Sequence, residues 1–288
     1  MKIFVTGGTG FIGKSVVSNL ISQNHKLLIL SRKPPVAKSH SFKLYIKDDL
    51  SNIKTWTTAV KKFKPDAAIH LAWEGVPDYS LNTSIRNLIY GLDLISMLAK
   101  IKCKKIVCSG SCWEYGAESG KLSEDDCCNP LAVFAAAKLG LYFLGKAIAE
   151  EHRVQFIWTR LFFVYGPGQK KSSLIPYLIN CKTNKKRPKV TNPYGSNDFV
   201  FVDDVAKALT MIISKNIHAR NAVYNIGSGK LTSVQKVKNI IYDKQLNTKI
   251  FKNGFFANIS RIKQEIGWKP TTSITQGIKK TMESYQNG

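Results

Sequence analysis

The apolar residues of this chain follow two alternating rhythms. In the first two thirds, KIFVTG (2–7), KLLILS (26–31), AAIHLA (67–72), KKIVCSG (104–110) and VQFIWTR (154–160) carry apolar side chains at consecutive positions. A strand with water on one face alternates, and a strand covered on both faces does not. These runs therefore predict strands buried inside a parallel sheet. Between them lie segments of helical length. In 11–23, Ile12, Val16, Val17, Leu20 and Ile21 share one helical face, as do Leu88, Leu92, Ile95 and Leu98 in 84–100. Strand–helix alternation predicts βαβ units wound into an α/β, Rossmann-type, doubly wound parallel sheet. After about residue 166 the rhythm loosens. YGPGQ and NPYGSND are rich in turn formers, and the chain closes on IGWKPTTSI and a predicted helix over 273–285. This final third predicts a second, smaller lobe.

Composition narrows the class. A hydrophobic content of 44% and a charged content of 22% are those of a soluble globular protein. No apolar run approaches the roughly 20 residues that cross a bilayer. The start, MKIFVTGGTGFIG, lacks the apolar core and cleavage site of a secretory leader, so a cytoplasmic location is expected. Six cysteines (103, 108, 112, 127, 128 and 181) form no CxxC pair, and the five histidines are scattered. Reduced thiols and no metal site are expected. The net charge of +24 would suit nucleic acid, an acidic membrane or a phosphorylated small molecule. The lysines are spread along the chain and are not interleaved with stacking aromatics. They read mainly as solvated surface, with a few at the mouth of an anionic-ligand site; neither nucleic acid nor membrane is expected as a partner.

TGGTGFIG (6–13) follows the first predicted strand and opens the first predicted helix. Gly7, Gly10 and Gly13 give the spacing GxxGxxG. A turn without Cβ atoms lets backbone N–H groups approach a pyrophosphate, and the helix N-terminus adds partial positive charge. In this context the loop predicts a dinucleotide site at Gly7, Thr9, Gly10, Phe11, Ile12 and Gly13. The second strand ends LLILSRK. Ser31 is neutral where an acidic residue would hold the ribose of NAD, and Arg32 and Lys33 follow it, which suits a 2′-phosphate. NADP(H) is therefore expected ahead of NAD(H). Asp49 and Leu50 are placed to meet the adenine, although a solvated loop accounts for Asp49 nearly as well. The expected division is a dinucleotide-binding domain over 1–165, with 199–215 returning to it, and a substrate-binding lobe over 166–198 and 216–288.

Further segments, in order over nearly the whole chain, resemble the extended short-chain dehydrogenase/reductase family, in its nucleotide-sugar epimerase, dehydratase and reductase branch. After TGGTGFIG come HLAW (70–73), Asn87 in NLIYGLDLI, SGSCWEYG (109–116), RLFFVYGPGQ (160–169), DFVFVDDVAKAL (198–209), YNIGSG (224–229) and IGWKP (266–270). The resemblance implies that Leu71, Ala72, Trp73 and Asn87 lie beside the cofactor and that Ser111 is the catalytic serine. It also implies a Tyr-x-x-x-Lys pair. The phenol moves the proton at the sugar oxygen, the lysine lowers the phenol pKa and holds the nicotinamide ribose, and the serine adds a hydrogen bond to the developing oxyanion. In this chain the pair falls on Phe134 and Lys138, so the lysine is present and the hydroxyl is missing. Tyr142 and Lys146 repeat the spacing, but about 12 Å further along the helix. Phe134 has three readings: a substitution made in an active enzyme to trap its substrate, a natural NADP(H) binder without catalysis, or an enzyme in which another acid or a water moves the proton. The intact surroundings favour the first, which leaves this chain impaired.

Family dehydratases carry an Asp-Glu pair directly after the catalytic Thr. Here Cys112 and Trp113 follow Ser111, and Glu114 comes one place late, which argues against dehydration. The resemblance therefore implies an NADPH-dependent reductase acting on the C4 keto group of a nucleotide-diphospho-4-keto-6-deoxysugar, in deoxysugar biosynthesis for surface polysaccharide. A nucleotide-sugar 4-epimerase is the alternative, and a non-catalytic NADP(H)-binding regulator is the alternative of another class. Candidate substrate residues are Glu74, Ser111, Cys112, Trp113, Phe134 and Phe162, with Lys189, Asn197 and Arg261 near the nucleotide diphosphate. Asn197 stands where the family often has an Arg. Pairing of helices 84–100 and 134–150 in a homodimer is implied by resemblance alone.

Overall fold

The computed structural model describes residues 1–35, 42–116, 119–244 and 253–286. In chain order the elements are β1 (Lys2–Thr6), α1 (Phe11–Ser22), β2 (Lys26–Ser31), β3 (Lys43–Lys47), α2 (Ile53–Phe63), β4 (Ala67–His70), α3 (Leu81–Lys100), β5 (Lys105–Ser111), β6 (Gly120–Leu122), α4 (Val133–Glu151), β7 (Gln155–Leu161), β8 (Phe163–Tyr165), α5 (Leu174–Thr183), β9 (Ser196–Asn197), β10 (Phe199–Phe201), α6 (Val202–Ser214), β11 (Asn221–Ile226), β12 (Thr232–Ser233), α7 (Val234–Ile241), β13 (Phe255–Ala257), α8 (Ser260–Ile266) and α9 (Ile274–Gln286). The chain divides into two units. The first holds Met1–Gly116, Cys127–Arg160 and Ala206–Tyr224; the second holds Ala117–Asp126, Leu161–Val205 and Asn225–Gly288.

A seven-stranded parallel sheet runs in the order β3-β2-β1-β4-β5-β7-β11. It is the doubly wound Rossmann-type sheet that the strand–helix alternation predicts. Ile3 to Thr6 and Ala67 to His70 are buried at every position, as consecutive apolar residues require when helices cover both faces. The edge strand β3 departs from this pattern, with Leu44 half exposed. Strand order reverses between β1 and β4, the place where such sheets bind ligands.

Helices α3 and α4 pack closely because glycines face large residues. A Cβ on Gly91 would lie 2.8 Å from Leu141, and one on Gly145 would lie 2.9 Å from Ile95 and 3.0 Å from Phe156. Helix α4 turns Ala135, Lys138, Leu141, Gly145 and Ala149 inward at spacings of three and four. Lys138 therefore lies on the buried stripe of its helix.

In the second unit, β8 pairs with β10 and β6 with β13 in parallel, and β9 pairs with β12 antiparallel. Buried carboxylates organise its loops. Asp198 accepts from Ser228 N and Oγ at 2.6 and 2.5 Å, and from Gly229 N and Ala257 N at 3.0 Å each. Asp204 accepts from Thr271 N and Oγ1 and Thr272 N, while Trp268 Nε1 donates to the Asp204 carbonyl. Glu124 accepts from Asn225 N at 2.9 Å. The acids and the tryptophan of DFVFVDD and IGWKP thus hold this unit together.

Candidate active site

At the end of β1 the loop has room only for glycine. Gly7 has φ +75°, and a Cβ there would lie 2.6 Å from Ala72 N; one on Gly13 would lie 2.0 Å from Gly7 O. Gly10 is the N-cap of α1, whose first turn has no acidic residue and no side-chain cap. The first N–H groups of α1 are therefore left to an anion, and the residues present fit a dinucleotide diphosphate. Thr6 Oγ1 meets His70 Nδ1 at 2.7 Å, which fixes the ends of β1 and β4 to each other. Burial, reinforced by the positive charge of Lys138, pushes the His70 imidazole down to about 3.

Ser31 is buried, and its hydroxyl meets Thr9 Oγ1 at 3.0 Å. Arg32 projects outward with Nε 3.7 Å from the Asp49 carboxylate and Nη1 3.8 Å from that of Glu74. Lys33 is exposed. Asp49 caps the turn Leu50–Asn52 by accepting from Ser51 N at 2.9 Å. Leu71, Ala72 and Trp73 follow β4 directly. The dinucleotide residues expected from sequence thus follow the C-terminal ends of β1, β2, β3 and β4 along one edge of the sheet. Asn87 acts on backbone. Its Oδ1 accepts from Glu74 N at 2.7 Å, and its Nδ2 donates to Glu74 O and Thr83 O at 3.2 and 2.8 Å. It fixes the turn that carries Trp73 and Glu74, and Glu74 in turn accepts from Arg86 Nε at 3.1 Å.

Strand β5 ends at Ser111, which caps the 3₁₀ turn Cys112–Tyr115. Ser111 Oγ accepts from Trp113 N at 3.2 Å, and Glu114 Oε1 accepts from Ser111 N at 2.7 Å. Glu114 is fully buried. Trp158 Nε1 donates to both of its oxygens, and Arg160 Nε donates at 3.0 Å. Burial raises its carboxyl pKa while Arg160 pulls it back down. Cys112 is also buried, and Trp113 is 38% exposed.

Lys138 is 4% exposed. Its Nζ donates to Ser109 O at 2.7 Å and lies 4.0 Å from the centre of the Trp73 ring. Burial lowers its pKa to about 8, while the negative character of Glu114 and Cys108 holds it up. One turn earlier on α4, Phe134 is half-buried among aromatics. Its ring centre is 4.8 Å from Tyr79, 5.4 Å from Trp73 and 6.1 Å from Trp113. Tyr79, which lies in the turn-rich VPDYS, was not among the residues expected from sequence. Its one signal there was an aromatic soon after HLAW. Tyr142 lies against Trp158 at 5.6 Å, on the core side of α4.

The second unit contains a cleft of about 940 Å³ lined by Ser172, Tyr177, Lys189, Asn197, Asn253 and Phe255 among others. Such a volume suits a small organic ligand. Lys189 N donates to Tyr177 Oη at 3.0 Å. Phe162 is buried with its ring 6.1 Å from that of Phe255, and Arg261 pairs with Asp125. Lys189 and Asn197 line this cleft, whereas Phe162 and Arg261 lie off its lining.

Comparison with known proteins places these features in context. The model of the NAD dependent epimerase/dehydratase family matches residues 3–227. The chain is 26% identical to dTDP-4-dehydro-6-deoxyglucose reductase of Escherichia coli, covering 99% of this chain and 97% of that protein. It is also 26% identical to the putative UDP-glucose 4-epimerase of Methanocaldococcus jannaschii, covering 99% and 98%. Its fold matches that of UDP-glucuronic acid 4-epimerase from Bacillus cereus, solved in complex with UDP-glucuronic acid and NAD, with a TM-score of 0.85 at 20% identity over 100% and 99% of the two chains.

Proposed function

The chain belongs to the NAD dependent epimerase/dehydratase family, and from that premise we propose that it reduces the C4 keto group of a nucleotide-diphospho-4-keto-6-deoxysugar with NADPH. The observation that carries this reading is the position of Glu114. Eliminating water from a sugar needs a free acid and base. The carboxylate that follows Ser111 is sealed inside the fold by Ser111 N, Trp158 and Arg160. Redox chemistry at the sugar carbon needs no such carboxylate. The similarity to the Escherichia coli reductase over nearly all of both chains supports the same reading.

When bound, the nicotinamide supplies the hydride. The loop Gly7–Gly13 and the N-terminus of α1 bind its diphosphate, and Arg32 and Lys33 hold the 2′-phosphate. Lys138 presents a buried ammonium to the nicotinamide ribose, and Ser111 Oγ donates a hydrogen bond to the keto oxygen. Lys189 and Asn197, on the cleft of the second unit, hold the nucleotide diphosphate. The product enters surface polysaccharide, and the enzyme works in the cytoplasm as a homodimer. Ile85, Ile89, Phe143 and Leu144 are exposed on α3 and α4, which supports pairing there.

The second reading, a 4-epimerase, is favoured by equal similarity to the Methanocaldococcus jannaschii protein. Oxidation of NADPH on a panel of nucleotide-diphospho-4-keto-6-deoxysugars is the expected result for the reductase. Interconversion of 4-hydroxy epimers without net cofactor turnover marks the epimerase instead. Arg32→Ala should shift the NADPH-to-NADH affinity ratio about tenfold toward NADH; an unchanged ratio removes the 2′-phosphate role.

A further inference from the structure

Phe134 leaves the proposed reduction without the phenol expected at that position, yet a phenol lies against its ring. Tyr79 is nearer to Phe134 than either Trp73 or Trp113, and it also meets Trp113 at 5.7 Å. The segment that carries it is anchored on both sides. Asp78 N donates to Gly75 O at 2.7 Å. The Asp78 carboxylate accepts from Ser80 N at 3.0 Å and from Thr83 Oγ1 at 2.6 Å, and Ser80 caps α3. Tyr79 therefore has a built position.

The other proton carriers nearby are engaged. Tyr115 is buried with the Arg160 guanidinium 4.5 Å above its ring. Lys138 gives its ammonium to Ser109 O and to the Trp73 face. His70 is buried against Thr6. Tyr79 is 37% exposed, so water can restore its proton after each turnover. Partial burial raises its phenol above the ordinary value, so it holds its proton at neutral pH.

We propose that Tyr79 is the proton donor of this enzyme, standing in for the hydroxyl that Phe134 lacks. As the keto carbon accepts the hydride and its C=O π bond opens onto oxygen, Tyr79 Oη transfers its proton to that oxygen. The sugar becomes the alcohol, the nicotinamide ends oxidised, and the phenolate takes a proton from water. The proposal rests on the reductase reading.

Four chains decide it: native, Tyr79→Phe, Phe134→Tyr and the double variant. Turnover with NADPH on nucleotide-diphospho-4-keto-6-deoxysugars should fall about a hundredfold in Tyr79→Phe and recover in Tyr79→Phe/Phe134→Tyr. Calorimetry on the cofactor-free chains supplies a second readout. Tyr79→Phe should bind the product, a nucleotide-diphospho-6-deoxyhexose, about fivefold more weakly than native and its 4-deoxy analogue equally well. Equal binding of the analogue also shows that the variant is folded. Tyr79→Phe turnover within twofold of native overturns the proposal. So does a silent native chain beside an active Phe134→Tyr, an outcome that leaves the reductase reading standing. If neither native nor Phe134→Tyr reduces any of the keto sugars, the reductase reading falls and the donor falls with it.

Discussion

At the end of β1 the chain makes room by leaving atoms out, and at the end of β5 it fills space with charge. The glycine loop works through absence. No Cβ stands at Gly7 or Gly13, where one would lie 2.6 Å and 2.0 Å from backbone atoms. The Ser111 turn works through presence. Glu114, Arg160 and Lys138 are all buried, and each is satisfied by named partners. Nothing may be added to the first region, and nothing may be taken from the second.

Removing a charge should do the most damage. Glu114→Ala takes the carboxylate counter-charge from buried Arg160 and frees Ser111 N, and should cost about 3–5 kcal/mol in urea unfolding. A loss under about 1 kcal/mol would show that the layer is not under electrostatic constraint. The Lys138 ammonium gives the next effect. Its pKa is about 8 in the fold against the ordinary lysine value of 10.5, so the unfolded chain holds more protons between those values. Stability should therefore rise by about 3 kcal/mol from pH 8 to 10.5, relative to Lys138→Met, which has no proton to release. Parallel pH profiles would remove the burial argument. Adding one methyl to the loop is the mirror test. Gly13→Ala should cost about 1–3 kcal/mol and abolish dinucleotide binding in calorimetry. If binding survived within tenfold, the loop would have room that its geometry denies. The smallest effect belongs to Tyr142→Phe, which should change stability by no more than about 0.5 kcal/mol and leave turnover unaltered. A large loss of turnover there would move the proton donor two turns along α4.

The two regions also differed in how far sequence revealed them. Glycine spacing after an apolar strand has few meanings, so the loop and the sheet around it were legible from pattern alone. Ser111 and Lys138 were singled out through motif resemblance, yet a lysine on a helix gives no sign that it faces inward. That follows from Ala135, Leu141 and Gly145 sharing its stripe. Glu114 stood one place late for a dehydratase acid, and the fold uses it as a cap with an internal counter-charge. Asp198 and Asp204 likewise sit in recognised motifs and serve the architecture. Tyr79 lay in a segment without periodicity, where no local pattern separates a site residue from a solvated one. Only the packing of that segment brings Tyr79 against Phe134 of α4.

Lys105 has a consequence for how this chain can vary. Its Nζ donates to the carbonyls of Ile212, Ile213 and Lys215, where α6 ends in the first unit. The clamp fastens the returning segment 206–224 to β5. The segment Leu161–Val205 belongs to the second unit, and doubling the length of a flexible loop between its elements costs only about 0.6 kcal/mol. Residues can be inserted in those loops at little expense to the sheet.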